Sequence, residues 1–266
     1  MTKVSDILRY LETIAPTSMK MDWDNVGLLC GDETQEVKRI LVALDPFWHV
    51  CQEAADMGAD LIVTHHPLIF RPVSSVTEQS SVGKCIRLLI QKNIAAVNTH
   101  TNLDCAPGGV NDCLASILGL TEISVLEPQG LDAQGTPWGL LRAGLTEETS
   151  LTSFLERVQN SLNCPGLRYV DGGRPVRRVA VGGGACAGEL QTVRNAGCDT
   201  FVTADVKYNQ FWDAQDMGLN LIDAGHFYTE NPVCRYLVEK LAGQFPGVVV
   251  ELSKNHGDCM KFYKNS

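Results

Sequence analysis

Two histidine–carboxylate pairs in this chain share one spacing. His100 and Asp104 follow the apolar run Ile94-Ala95-Ala96-Val97, and His226 and Glu230 follow Leu221-Ile222. Both have the form His-x-x-x-carboxylate, and the second repeats the first 126 residues on, from 100 to 226 and from 104 to 230. Imidazole and carboxylate together are the ligand set of a borderline divalent metal, with Zn, Fe, Mn and Ni all compatible. The doublet His65-His66 stands in the same way after Asp60-Leu61-Ile62-Val63-Thr64. A single open catalytic ion wants about three protein ligands. The surplus here suits two ions about 3.5–4 Å apart. Two divalent ions outweigh the charge of Asp104 and Glu230, so the pocket stays electropositive inside a protein of net charge −9. That favours phosphate or another small anionic substrate, attacked by metal-activated water. His100, where it is not itself a ligand, is placed to move the proton.

These residues need elements that bring them to one edge. Strand-like runs at 39–44, 60–64 and 94–98 alternate with helical patterns at 47–57 and 82–92, the first closed by Gly58. A further helix runs from Gly109 to Leu118, and an N-terminal one places Val4, Ile7, Leu8, Leu11 and Ile14 at helical spacing up to Pro16. Turn-rich sequence follows near residue 127. Beyond it come a strand within 139–145, a helix at 151–162, strands at 176–181, 199–203 and 219–223, and helices at 188–196, 206–217 and 230–241. Such alternation predicts βαβ crossovers and an α/β fold of two similar lobes with mostly parallel sheets flanked by helices. The lobes are expected at 1–126, carrying His65, His66 and Asp104, and 127–266, carrying His226 and Glu230. The C-terminal segment has the option of packing back on the first lobe. A duplication is also suggested by Gly58-Ala59-Asp60-Leu61-Ile62-Val63-Thr64 against Gly197-Cys198-Asp199-Thr200-Phe201-Val202-Thr203. Parallel strands end on one edge, where α/β proteins bind ligands. All six candidate residues fall just past such an end.

Plainer readings apply elsewhere. His49 reads as a helix-surface or packing residue, and His256 as solvated in a polar tail. Gly182-Gly183-Gly184 could cradle phosphate, but it lacks the residues of a P-loop and reads better as a tight structural turn. Pro107-Gly108-Gly109-Val110-Asn111-Asp112 opens a helix and is also readable as a turn.

Composition narrows the classes. Lys and Arg total 22 against 31 Asp and Glu, which argues against nucleic-acid binding. The ten cysteines form no CxxC and lie mostly in apolar stretches, as expected of reduced thiols in the cytoplasm. The N-terminal residues lack the apolar core of a secretory signal, and no apolar run approaches a membrane span.

Five ordered segments resemble the NIF-three-like family, dinuclear-metal proteins labelled GTP cyclohydrolase I type II homologues. They are Trp23-Asp24-Asn25-Val26-Gly27-Leu28, Thr64-His65-His66-Pro67-Leu68-Ile69-Phe70, His100-Thr101-Asn102-Leu103-Asp104 running on to Gly109-Val110-Asn111-Asp112, Gly182-Gly183-Gly184, and Gly225-His226-Phe227-Tyr228-Thr229-Glu230. The resemblance implies a homohexamer with two metal ions per subunit. It implies His65, His66, Asp104, His226 and Glu230 as ligands, with His100 beside the metal pair. One segment departs from the family pattern: Thr203-Ala204-Asp205-Val206-Lys207-Tyr208-Asn209 has Ala204 where relatives have Gly and Asn209 where they have His. The function expected is a metal-dependent hydrolase acting on a nucleotide or other small anion. The alternative is a non-enzymatic metal-binding or metal-delivering scaffold with protein or nucleic-acid partners.

Overall fold

The computed structural model describes residues 1–263. By its contacts the chain forms two units, one made of Met1–Ala106 and Val233–Gly257, the other of Pro107–Pro232 and the described residues from Asp258 on. The junction therefore falls after Ala106 and not near 127. Leu114, Ala115, Leu118 and Leu120 bury their side chains with Phe154, Val158 and Val179, so the helix Val110–Ile117 belongs to the second unit's core. The strand Thr121–Val125 pairs there too, against Arg142–Thr149. The turn-rich stretch is a small hairpin, Gly130–Leu131 against Pro137–Trp138.

In the first unit a five-stranded sheet runs in the order Gly27–Cys30, Ala95–Asn98, Leu61–Thr64, Arg39–Ala43, Val249–Leu252. Its last four strands are parallel, and Gly27–Cys30 is an antiparallel edge. Leu61–Thr64 and Ala95–Asn98 are buried along their whole length, which is why they read as continuous apolar runs. Helices Trp48–Met57 and Ser81–Lys92 cover one face through Val50, Cys51, Ala54, Cys85, Ile86 and Leu89. Each fully buried aliphatic side chain there contributes about 1.5–3 kcal/mol. Gly58, at φ 66°, ends the first of these helices in the left-handed conformation, and its amide bonds back to Ala54 and Ala55.

The second unit has six strands, in the order Thr121–Val125, Arg142–Thr149, Val176–Val181, Thr200–Thr203, Asn220–Asp223, Arg168–Val170. The Val176–Val181, Thr200–Thr203 and Asn220–Asp223 strands are parallel, and the outer pairings are antiparallel. The two lobes thus share three consecutive parallel strands with an antiparallel strand beside the third. The two similar Gly-x-Asp segments also do the same work. Asp60 accepts hydrogen bonds from the amides of Lys38 and Arg39, and Asp199 from those of Arg177 and Arg178. In each unit the aspartate before one strand thereby pins the start of its neighbour.

No helix among the described residues is long and apolar enough to cross a membrane. The ten cysteines form no disulfide and are mostly buried. His256 is half-buried and not solvated: the Leu44 amide donates to its Nδ1 at 3.2 Å. Burial pushes its pKa below the ordinary value, against the attraction of Asp45 and Glu53.

Candidate metal centre

In the first unit the backbone bends at both His65 and His66, directly after the Leu61–Thr64 strand. Strict strand alternation would send the two rings apart. The bend instead leaves their centroids 4.9 Å apart, with the His100 ring 5.2 Å from His65 and 5.4 Å from His66. One nitrogen from each of His65, His66 and His100 lies within 4.8 Å of the others, a group that could hold a metal ion. His100 caps the short helix Thr101–Cys105, and Asp104 lies on that helix. Their spacing of four is thus one helical turn, which puts both on one face. Asp104 is buried, and its Oδ1 stands 3.5 Å from His65 Nε2.

The second unit repeats the device. His226 and Glu230 span the helix His226–Glu230, entered through Gly225 at φ 83°. His226 Nε2 is 3.0 Å from Glu230 Oε2, and Glu230 is buried. The glycines that read as a turn lie against this side chain, where a Cβ on Gly183 or Gly184 would meet Glu230. Gly183 donates its amide to Asn111 Oδ1 at 2.7 Å, and Gly184 donates to Thr229 Oγ1 at 3.1 Å. Asn111 is itself fixed by donating to the Leu140 carbonyl. The glycine run is therefore a structural turn whose flatness lets Glu230 lie against it.

Every candidate histidine has its Nδ1 tied to an acceptor. His65 meets the Thr99 carbonyl at 2.9 Å, His66 meets Asp45 at 2.6 Å, His100 meets Asp24 at 2.8 Å, and His226 meets Asp205 at 2.8 Å. Carbonyl and carboxylate oxygens only accept, so Nδ1 carries a proton in each ring, and in the neutral ring Nε2 presents its lone pair. Anchoring of this kind fixes the tautomer of a metal-ligating histidine. It also makes the carboxylate contacts informative. With neutral rings, His226 Nε2 and Glu230 Oε2 face one another as two acceptors, as do His65 Nε2 and Asp104 Oδ1. A shared cation relieves that repulsion. Ligands at about 2.0–2.2 Å from a tetrahedral ion stand roughly 3.3–3.5 Å apart, close to these separations. The donor set fits a divalent metal.

Asp24, Asp45 and Asp205 were not singled out by the sequence as functional. Asp24 is buried. Burial alone would raise its pKa, but hydrogen bonds from His100 and Thr101 outweigh this and hold it below the usual carboxylate range. Asp205 belongs to the segment that departs from the family pattern. It sits at φ 51°, a left-handed conformation rare outside glycine, with its carboxylate on His226. Asn209, in the same segment, is exposed on the helix Tyr208–Asp216.

The chain belongs to the Duf34/NIF3 (NGG1p interacting factor 3) family, whose model matches residues 2–258. It is 36% identical over 241 residues to a Clostridium perfringens protein named GTP cyclohydrolase 1 type 2 homolog, covering 90% of this chain and 91% of that one. Among solved structures it resembles a hypothetical protein of Staphylococcus aureus at TM-score 0.90 and 31% identity, covering 98% of this chain and 99% of that one. A Bacillus cereus protein related to NIF3 matches at TM-score 0.93 and 26% identity, covering 99% of each. The two-lobed α/β fold is that of this family.

Proposed function

We propose that the protein binds two divalent metal ions through His65, His66, Asp104, His226 and Glu230 and acts as a metal-dependent hydrolase on a small anionic substrate. The observation that carries this reading is the anchoring of all four histidines at Nδ1, which turns four Nε2 lone pairs into ready ligands or bases. Bound divalent ions would supply Lewis acidity, polarising the substrate and making water acidic enough to attack at neutral pH. His100 then serves as the base, taking a proton at Nε2 while Asp24, bonded to Nδ1, stabilises the imidazolium. Asp24 stays ionised for this task because Thr101 donates to it through both its amide and its hydroxyl. The name borne by the curated relatives makes GTP one candidate substrate within the class. The reading also takes in a cytoplasmic location and the homohexamer. Exposed Tyr208 and Trp212, one turn apart on a helix, offer apolar surface for self-association.

The test is elemental analysis of protein purified without a metal-affinity tag, then a metal-supplemented screen of nucleoside triphosphates, monophosphates and sugar phosphates. Turnover that needs added metal and vanishes in Glu230→Gln supports the hydrolase. Metal-loaded protein with no turnover across the screen would favour the non-enzymatic metal-binding scaffold.

A further inference from the structure

Beside His66 the first unit has a cavity of about 570 Å³ whose wall includes Phe47, Trp48, Phe70, Arg71 and Lys84. That volume lies within the range of about 300–1,000 Å³ typical of small-molecule sites. Three aromatic side chains around one concavity are left open to solvent: Phe47 is 58% exposed, Phe70 45% and Trp48 36%. Their positions follow from the fold. Phe47 and Trp48 open the helix Trp48–Met57, Lys84 projects from Ser81–Lys92, and Phe70 sits on the irregular segment between Thr64 and Ser81. Lys84 Nζ is held 4.6 Å over the Trp48 ring, and among the described residues neither Lys84 nor Arg71 is paired with a carboxylate. Asp45 also lines the cavity, but its carboxylate is engaged by His66.

Flat apolar walls, two cations without counter-charges and a metal-type histidine on one side have a common complement. Aromatic faces accept a planar ring by stacking, and lysine and arginine accept a phosphate. We infer that this cavity is the substrate site and that it takes a planar heteroaromatic ring carrying a phosphate, the chemistry of a nucleoside monophosphate. The ring lies along Phe47 and Phe70, the phosphate meets Lys84 and Arg71, and the His66 wall would set the ring beside a metal held by that histidine. This assignment rests on the metal-centre reading only for its reaction. Ring and phosphate recognition belongs to the cavity itself.

Calorimetric titration of the full chain with GMP, guanosine and ribose 5-phosphate tests it, in metal-loaded and chelator-treated protein. GMP is expected to bind at least tenfold more tightly than either fragment. Lys84→Gln should weaken GMP about tenfold and leave guanosine unchanged, whereas Phe70→Ala should weaken both. Thermal melts of the two variants confirm that they are folded. Binding that survives chelation while the substrate screen shows no turnover would keep the cavity assignment and overturn the hydrolase. Turnover of a phosphorylated compound that Lys84→Gln and Phe70→Ala leave unaltered would do the reverse. GMP bound no better than ribose 5-phosphate, or with the same Kd in both variants, overturns the cavity assignment.

Discussion

Gly184 gives Glu230 the room to meet His226. A Cβ at this position would overlap Glu230 Oε1 and stand 3.1 Å from His226 Nε2, and the backbone there has φ 64°. A glycine that the sequence shows only as one of three in a row is thus the floor under a buried carboxylate. Gly184→Ala is predicted to displace that carboxylate. The left-handed backbone adds a cost of about 1–2 kcal/mol. Metal content should fall by at least half, with a drop of only a few degrees in Tm. Gly188, around which a Cβ would meet nothing within 4 Å, is the control: Gly188→Ala should leave metal content unchanged. Equal metal content in both variants would show that Glu230 does not ligate.

Asp205 orients His226 from a left-handed backbone position. Asp205→Ala should weaken metal binding about 10–100-fold, the usual effect of losing such a partner. Competition with a chromogenic chelator measures this. An unchanged affinity would reduce Asp205 to a surface ion pair.

Much of this arrangement could be read in the sequence, and the exceptions share a cause. Buried parallel strands such as Leu61–Thr64 and Asn220–Asp223 stand out as short apolar runs, and the histidines and carboxylates follow them directly. The five-residue helices Thr101–Cys105 and His226–Glu230 are too short to show periodicity, so the spacing of four was visible while the turn behind it was not. The edge strands Gly27–Cys30, Arg168–Val170 and Val249–Leu252 were missed because they are short and partly exposed, and distant neighbours decide their pairing. The anchoring carboxylates are hidden in the same way, with Asp24 lying 76 residues from His100. One signal was available: Asp45 precedes His66 by 21 residues, and Asp205 precedes His226 by 21. In each unit an aspartate after one strand holds the histidine after the next.

His256 gives a pH dependence with a definite sign. Its pKa is lowered in the folded state, so the unfolded chain takes up this proton first as the medium is acidified. The stability it contributes is complete above about pH 6.5, the ordinary histidine value, and is lost as pH falls through the lower folded value. His256→Asn keeps an acceptor near the Leu44 amide but does not titrate. Wild-type Tm should therefore fall more steeply than the variant's as pH drops below about 6.5. Parallel Tm curves would contradict the assignment.

His100 and the proposed ligands should separate by metal content. His100→Asn is predicted to lower kcat by about 100-fold or more with metal content near wild type, as for loss of a general base. His66→Ala should lose metal while remaining folded, since cores of this size do not need metal to form. If His100→Asn emptied a metal position, His100 would be a ligand and not the base.

The proposed dinuclear centre is tested most directly by anomalous diffraction from metal-replete crystals of protein purified without a metal-affinity tag. The expected map holds two anomalous peaks per chain, about 3.5–4 Å apart, contacted by His65, His66, Asp104, His226 and Glu230. A single peak held by the histidine doublet alone, or peaks away from these side chains, would contradict it.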